Sequence, residues 1–413
     1  MKSTKILEKL TTFVAAHYDV IVAGGGPAGV PAAVAAARNG AKVLLIESNG
    51  CLGGVWTSGI LAWVFDIADY GIGLEIISEL KKYKACVCAD GENMNNFSYD
   101  VESMKYVLEK MCVNSGVDVL LHTKVVGAEV ENKTITHVIT ESKSFRQAWA
   151  ANVFIDCTGD GDLGALAGNS FEMGDETGEL QPLTMMGILS VKDISKIKDC
   201  ISFYGGEYNH GAAYNKFKKI LQDNGIETSY GHPTLFHLKG NLVALMVNHT
   251  YGIDSTDTKQ LSDATILARA EIYDVANALS QTDTPFQGCV LASSAEYIGV
   301  REGRRLAGRY KVVYDDLVAG KKHDDSVCRV SFNIDIHSSD KKKSKGLTTQ
   351  KVPPYDIPMR ALIAKDVQGL LMAGRCISGD RLAFSSYRVT GCAVSMGEAV
   401  GNLAWERIMN AEL

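Results

Sequence analysis

The first strongly patterned segment is Tyr18–Ala23, YDVIVA, an apolar, β-branched run that predicts a strand buried on both faces. Gly24-Gly25-Gly26-Pro27-Ala28-Gly29 follows, and then VPAAVAAARNG, whose alanine-rich body predicts a helix closed by the cap signal Asn39-Gly40. Pro31 falls so early in that helix that its missing N–H costs little. A second apolar run, AKVLLI at 41–46, ends in Glu47. Farther on, 118–131 (DVLLHTKVVGAEVE) and 152–160 (NVFIDCTGD) read as strands, the latter closing in the turn Thr158-Gly159-Asp160. Near the carboxyl end, VQGLLMAGRCISGD reads as a strand that runs out at Gly374-Arg375, and VTGCAVSMGEAVGNLAWERI reads as a helix. An early strand–helix–strand unit with a late return to the sheet predicts an α/β fold whose main domain is discontinuous. Its pieces are 17–58, 100–165 and 355–413, and a mixed α+β substrate or cap domain, 59–99 and 166–354, is inserted between them.

The glycine-rich turn carries chemistry. Gly24, Gly26 and Gly29 satisfy G-x-G-x-x-G, and Glu47 lies 18 residues beyond Gly29, close to the spacing of about 20 at which an acid meets a ribose. Gly24 allows the tight strand-to-helix turn, Gly26 lets a pyrophosphate approach the backbone, and Gly29 lets helix and sheet pack closely. The helix start, with Pro27 and Ala28, offers unpaired amides and a positive dipole end to phosphate. Glu47, followed by Ser48, would accept both ribose hydroxyls and repel a 2′-phosphate. The pattern therefore predicts a Rossmann-like dinucleotide site. A second glycine pair, Gly53-Gly54, implies another close backbone approach, as if the ligand continued along this loop.

Composition removes several alternatives. Of 413 residues, 46% are hydrophobic and 22% charged, which excludes disordered or collagen-like chains. A net charge of -6 argues against wholesale nucleic-acid binding. The ten cysteines are scattered without a CxxC, several inside apolar runs, which fits buried thiols in a reducing cytoplasm and neither disulfides nor a zinc ribbon. Glu8 and Lys9 interrupt the amino-terminal apolar patch, so it lacks the core of a signal peptide, and no uncharged run is long enough for a membrane span. HSSDKKKSKG, 337–346, reads as a solvated loop. His232 and His237 have the wrong spacing for a metal pair, so no metal is expected. His237 is a weak candidate base, and Cys51 near the cofactor loop has no partner cysteine in sequence.

The chain resembles the FAD-dependent oxidoreductases among the two-dinucleotide-binding-domain flavoproteins, near the fumarate-reductase and glutathione-reductase types. The resemblance rests on YDVIVAGGGPAGVPAAVAAARNGAKVLLIESNGCLGG, FIDCTGDGDLGALAG, YIGVREGRRLAGRY and LLMAGRCISGDRLAFSSYRVTGCAVSMGEAVG, and is weakest over 175–285. It implies FAD as cofactor. Gly53 and Gly54 would pass near its pyrophosphate or flavin side, Val126 would meet adenine through its backbone, and Thr158, Gly159 and Asp160 would close over the adenosine half. Gly374 and Arg375 would meet the ribityl-phosphate region, and the helix opening near Gly391 would point its dipole at the flavin pyrimidine.

For the substrate, Arg301, Arg304, Arg305 and Arg309 fall on a predicted helix, with Arg301, Arg305 and Arg309 near one face. They suit an anion, or equally salt bridges to Glu296, Glu302 or others. Arg388 would lie near the flavin and stabilise negative charge there, or serve as a cap contact, while Tyr387 is a candidate proton donor. Arg388, Arg301 and Arg304 are thus the catalytic candidates. The expected function is hydride exchange between flavin N5 and a small polar substrate, an anionic one if the arginines face it, with an unspecified electron donor or acceptor and no nucleic-acid or membrane partner. A homo-oligomer is compatible with this. The alternatives are a flavin monooxygenase and a non-redox nucleotide-binding enzyme resembling thiazole-forming proteins.

Overall fold

The structure is a computed structural model and describes residues 8–68, 70–88, 96–205, 207–338 and 347–410. The first seven residues and most of the lysine-rich segment, 339–346, lie outside them.

At its centre is β1, Phe13–Ala23, flanked on one side by β2, Val43–Ile46, and then β3, Asp118–Leu120, all parallel. A hairpin of β4, Lys124–Glu131, and β5, Thr134–Ser142, leads into β6, Phe145–Asp156, which runs parallel to β1 on its other side. β1 begins at Phe13, five residues before the predicted start. Its first half is apolar at Phe13–Ala16 yet largely exposed, so backbone pairing with Gln147–Ala151 holds it where burial does not. Residues Val20–Ala23 and Val43–Ile46 are fully buried, as continuous apolar runs in a parallel sheet should be.

Between β6 and the carboxyl-terminal segment the chain forms an antiparallel sheet of β7, Gly187–Ser190, β8, Thr234–His237, β9, Leu242–Met246, and β10, Val290–Ser294, in the order β8-β9-β7-β10. The 24-residue helix Thr258–Gln281 packs on it so closely that a Cβ at Gly187 would stand 2.8 Å from Ile272. The strand β11, Ile334–His337, follows, and β12, Leu370–Met372, returns to pair parallel with the end of β6.

The helices α1, Gly29–Arg38, and α2, Thr390–Met409, lie against each other. A Cβ at Gly397 would meet Ala28 O at 2.1 Å and one at Gly401 would meet Ala32 O at 2.3 Å, so only hydrogen fits at either position. We expect Gly397→Val to push α2 off α1 and destabilise the fold by about 3 kcal/mol or more. A denaturant midpoint equal to wild type would show that the two helices need not touch.

The segment 299–309 is irregular, with one two-residue strand, Arg305–Leu306, where the arginine spacing predicted a helix. Gly299, Gly303 and Gly308 explain the difference. Glycine disfavours helix, and each of the three lets the backbone pass close to another segment. A Cβ at Gly303 would stand 2.1 Å from Asp160 Oδ1, and one at Gly299 2.9 Å from Thr184 O.

Candidate functional site

The carboxyl ends of β1, β2 and β6 meet at one edge of the parallel sheet, tied by Gly24 N–H to Ile46 O (2.7 Å) and Cys157 N–H to Ala23 O (2.8 Å). Ligands bind at this edge in open α/β sheets. A cavity of about 800 Å³ starts here, within the usual size of a ligand site. It runs from Gly24, Gly26 and Glu47, past Gly374 and Arg375, to a chamber lined in part by the antiparallel sheet.

Each glycine of the fingerprint has a distinct role. Gly24 has φ +96°, a left-handed value that favours glycine, and Gly29 passes so near Gly24 that a Cβ would overlap its carbonyl. A Cβ at Gly26 would meet nothing within 4 Å; it would stand in the cavity that this residue lines. The helix α1 opens at Ala28 with no side-chain cap, leaving amides unpaired at its positive end.

Glu47 is buried and heavily engaged. Its Oε2 accepts Gly25 N–H at 2.7 Å, and its Oε1 accepts Asn49 N–H and Asn49 Nδ2, each at 2.8 Å. The carboxylate therefore also knots the first turn to the loop after β2, a role the spacing does not reveal. Glu47→Ala should lower the melting temperature as well as weaken flavin retention, because buried amides lose their acceptor. An unchanged melting temperature would leave the knot without energetic weight.

On the opposite wall, Thr158 donates from N and Oγ1 to Asp156 Oδ1, and Arg375 pairs with Asp160 at 2.7 Å. Burial pushes Asp156 up to about 6 against the hydrogen bonds it accepts. Ser48, Gly54, Thr158, Gly159, Asp160, Gly374 and Arg375 all line the cavity. Gly53, with φ +109°, supports the loop from outside that wall, and Thr123, Lys124 and Val125 line it in place of Val126. At the start of α2, Gly391 N–H is taken by Phe65 O (3.1 Å), and Val389, Thr390 and Ala393 form the cavity surface.

The candidate arginines divide. Arg304 pairs with Asp162 (2.8 Å) and donates to Asp160 O, so it braces the same end as Arg375. Arg305 is buried against Glu302 (2.9 Å) and Gly174 O. Arg301 lines the chamber. Its Nη1 donates to Pro182 O (2.8 Å) and Thr184 Oγ1 (2.6 Å), and no carboxylate among the described residues is within 4 Å of it. Desolvation lowers its pKa. Arg388 lines the chamber too, but donates to Asp335 O (2.7 Å) and Arg301 O (3.3 Å) and lies 3.5 Å from Asp335 Oδ2. Tyr387 is fully buried with its hydroxyl on Ile377 O, so it acts as packing.

Two chamber residues escape the sequence reading. Asp335 and His337 stand on β11, Nε2 to Oδ2 3.3 Å, and both line the cavity with Asn333. Grouping His337 with the lysine-rich loop hid it. The alternation in Phe332-Asn333-Ile334-Asp335-Ile336-His337 is the signal that finds it, since a strand turns every second residue to one face. His249 is buried beside it, ring centroids 5.0 Å apart, whereas His237 is not among the residues that line the cavity and bonds Gly240 O. The apolar wall comes from Trp63, Phe65, Met186, Phe236 and Met246. All ten cysteines are free, and Cys51 Sγ lies 3.3 Å from Ser58 Oγ.

Residues 19–411 match the family of FAD dependent oxidoreductases. The chain belongs to that family. No curated protein matches it. A geranylgeranyl bacteriochlorophyll reductase-like protein from Thermoplasma acidophilum has a similar structure, with TM-score 0.51 and 13% identity over 96% of this chain and 80% of that one. This likeness shows a common fold. L-proline dehydrogenase from P. horikoshii is more distant, with TM-score 0.45 and 12% identity over 98% of this chain and 95% of that one.

FAD is the cofactor of this family, and the residues fit it. Gly26 leaves clear the volume that a side chain would fill, α1 presents uncapped amides to it, and the cavity continues well past the cradle toward Arg375. No helix among the described residues is long and apolar enough to cross a membrane.

Proposed function

We propose that this flavoenzyme is a dehydrogenase or reductase, exchanging a hydride between flavin N5 and a carbon of a small anionic substrate seated in the chamber. The observation that carries the proposal is the continuity of one cavity from the Gly24–Gly29 turn to Arg301, a largely desolvated cation with no carboxylate partner among the described residues. Bound FAD would supply the two-electron acceptor or donor. The chain's own residues do the rest. Residues 17–58, 100–165 and 355–413 hold the cofactor, with Gly24, Gly26, Gly29 and the amides of Ala28 and Gly29 at the pyrophosphate and Glu47 toward the adenosine ribose. Thr158, Gly159, Asp160, Gly374 and Arg375 form the opposite wall, and Arg304 braces it.

Residues 59–99 and 166–354 supply most of the chamber. Arg301 binds the anion, because a guanidinium stays charged when buried and offers its remaining N–H groups as a fork. Arg388, anchored on Asp335 and on the backbone of Arg301, fixes the chamber wall and adds positive charge. Trp63, Phe65 and Phe236 exclude water, which strengthens both effects.

Reoxidation tests the reaction type. Protein reduced under anaerobic conditions should react slowly with oxygen and need no nicotinamide nucleotide for reduction by substrate. Fast reoxidation coupled to hydroxylation would make it a monooxygenase instead.

A further inference from the structure

The chamber contains a histidine–carboxylate pair to which hydride exchange alone gives no role. His337 Nε2 faces Asp335 Oδ2 at 3.3 Å, and the same carboxylate oxygen lies 3.5 Å from Arg388. A carboxylate is acceptor only, so Nε2 carries the ring proton and Nδ1 keeps its lone pair. The backbone of His337 is fixed by its N–H on the buried Gln181 Oε1 (3.1 Å), and the ring lines the cavity with Arg301. A neutral acceptor thus stands in the same chamber as a guanidinium that no carboxylate among the described residues pairs with.

We propose that Arg301 takes the carboxylate of a 2-hydroxy acid, and that His337, held by Asp335, accepts its hydroxyl proton as the acid is oxidised to the 2-oxo acid. The proposal rests on the hydride-transfer reading above. In the step, the carbinol C–H bond breaks with its hydrogen and electron pair passing together, as hydride, to FAD. The O–H bond breaks with its proton passing to His337 Nδ1, and the C=O bond forms. The substrate loses two electrons, and FAD gains them.

The charges around His337 select this class. Burial and the charge of Arg301 hold its pKa down at about 4, against the opposing pull of Asp335. A base that weak does not take a proton from an unactivated carbon next to a carboxylate. A hydroxyl proton, by contrast, becomes acidic as the hydride departs. A 2-amino acid would bring an ammonium toward Arg301 and Arg388, and like charges repel. His249 and Tyr230, whose rings stand next to His337, do not compete for the role. His249 is kept neutral by burial with Nδ1 on Tyr251, and burial pushes Tyr230 up to about 12. Asp335 is held down to about 2: burial raises it, but the bond from His337 and the charges of Arg388 and Arg301 outweigh that.

An anion on Arg301 would cancel part of the charge that depresses His337. Binding should therefore raise the affinity of His337 for a proton, so that the substrate itself switches on the base. Oxamate, a 2-hydroxy acid analogue whose carboxylate stays ionised, tests this on the FAD-loaded protein. At pH 5, above the free value of about 4, wild type should take up protons as oxamate binds, read with an indicator dye in weak buffer. Binding is followed separately by the flavin band. His337→Gln should bind oxamate but lose the uptake, and Asp335→Asn should shift the midpoint of the uptake to lower pH.

Binding without uptake, or uptake that survives His337→Gln, overturns the role of His337 while leaving hydride exchange intact. Failure of oxamate to bind to flavin-loaded wild type removes the anion site on which both readings stand. Anaerobic bleaching then tests the class. 2-hydroxy acids (lactate, 2-hydroxyglutarate) should bleach the flavin, and alanine, glutamate, propionate and glutarate should not. Bleaching by the amino or unsubstituted acids instead, or by none of the three groups, overturns the assignment.

Discussion

Gly26→Val should purify colourless and folded. A Cβ at this position meets no atom within 4 Å outside its chain neighbours, so the backbone has room to carry a side chain here. The branched side chain instead occupies the cavity beside the uncapped start of α1, where a pyrophosphate must approach the backbone. Losing that approach removes several charge-assisted hydrogen bonds at once, each worth roughly 1.5–3 kcal/mol. Flavin retention should fall by at least about 100-fold, since every 1.4 kcal/mol is a factor of ten. The circular dichroism spectrum and melting temperature of the apoprotein should match those of wild-type apoprotein. A yellow mutant with wild-type flavin affinity would show that the glycine-rich turn is only a turn.

The second large effect belongs to Arg301. Its guanidinium is anchored through Nη1 alone, on Pro182 O and Thr184 Oγ1, and the rest of the fork is unclaimed by any carboxylate among the described residues. Arg301→Ala should lower kcat/KM by roughly 2–4 kcal/mol, or about 30- to 1000-fold, with flavin content intact. Lysine should recover only part of the loss, because its single ammonium cannot reproduce a fork. Arg304→Ala should behave differently. Arg304 is committed to Asp162 and to Asp160 O, so its loss should loosen the cofactor end and leave anion binding nearly unchanged. Equal losses of activity from the two substitutions would contradict this division of roles.

What could be read from the sequence was local in character. The run Tyr18–Ala23, the three glycines and Glu47 lie within thirty residues, and each acts on its near neighbours, so spacing alone groups them at one turn. The helix Thr390–Met409 was visible for the same reason. The segment 299–309 misleads because charge spacing points to a helix, while Gly299, Gly303 and Gly308 serve close backbone crossings that only the folded chain displays. The roles of the arginines depend on partners far away in sequence. Asp162 lies 142 residues before Arg304, and Asp335 lies 53 before Arg388. No local pattern connects such pairs, and so the scaffold and chamber arginines look alike until they are folded. Asp335 and His337 were hidden differently, since the conspicuous lysines after them outweighed a short alternating strand.

On the reading proposed above, one cavity brings the reactive end of FAD against the Arg301–His337 chamber. A crystal structure of the FAD-loaded protein tests it most directly. The account predicts the pyrophosphate on the amides at the start of α1, the ribose beside Glu47, and the isoalloxazine ring beyond Arg375 with N5 open to Arg301 and His337. An isoalloxazine ring turned away from the chamber, or a pyrophosphate bound anywhere other than the Gly24–Gly29 turn, would contradict it.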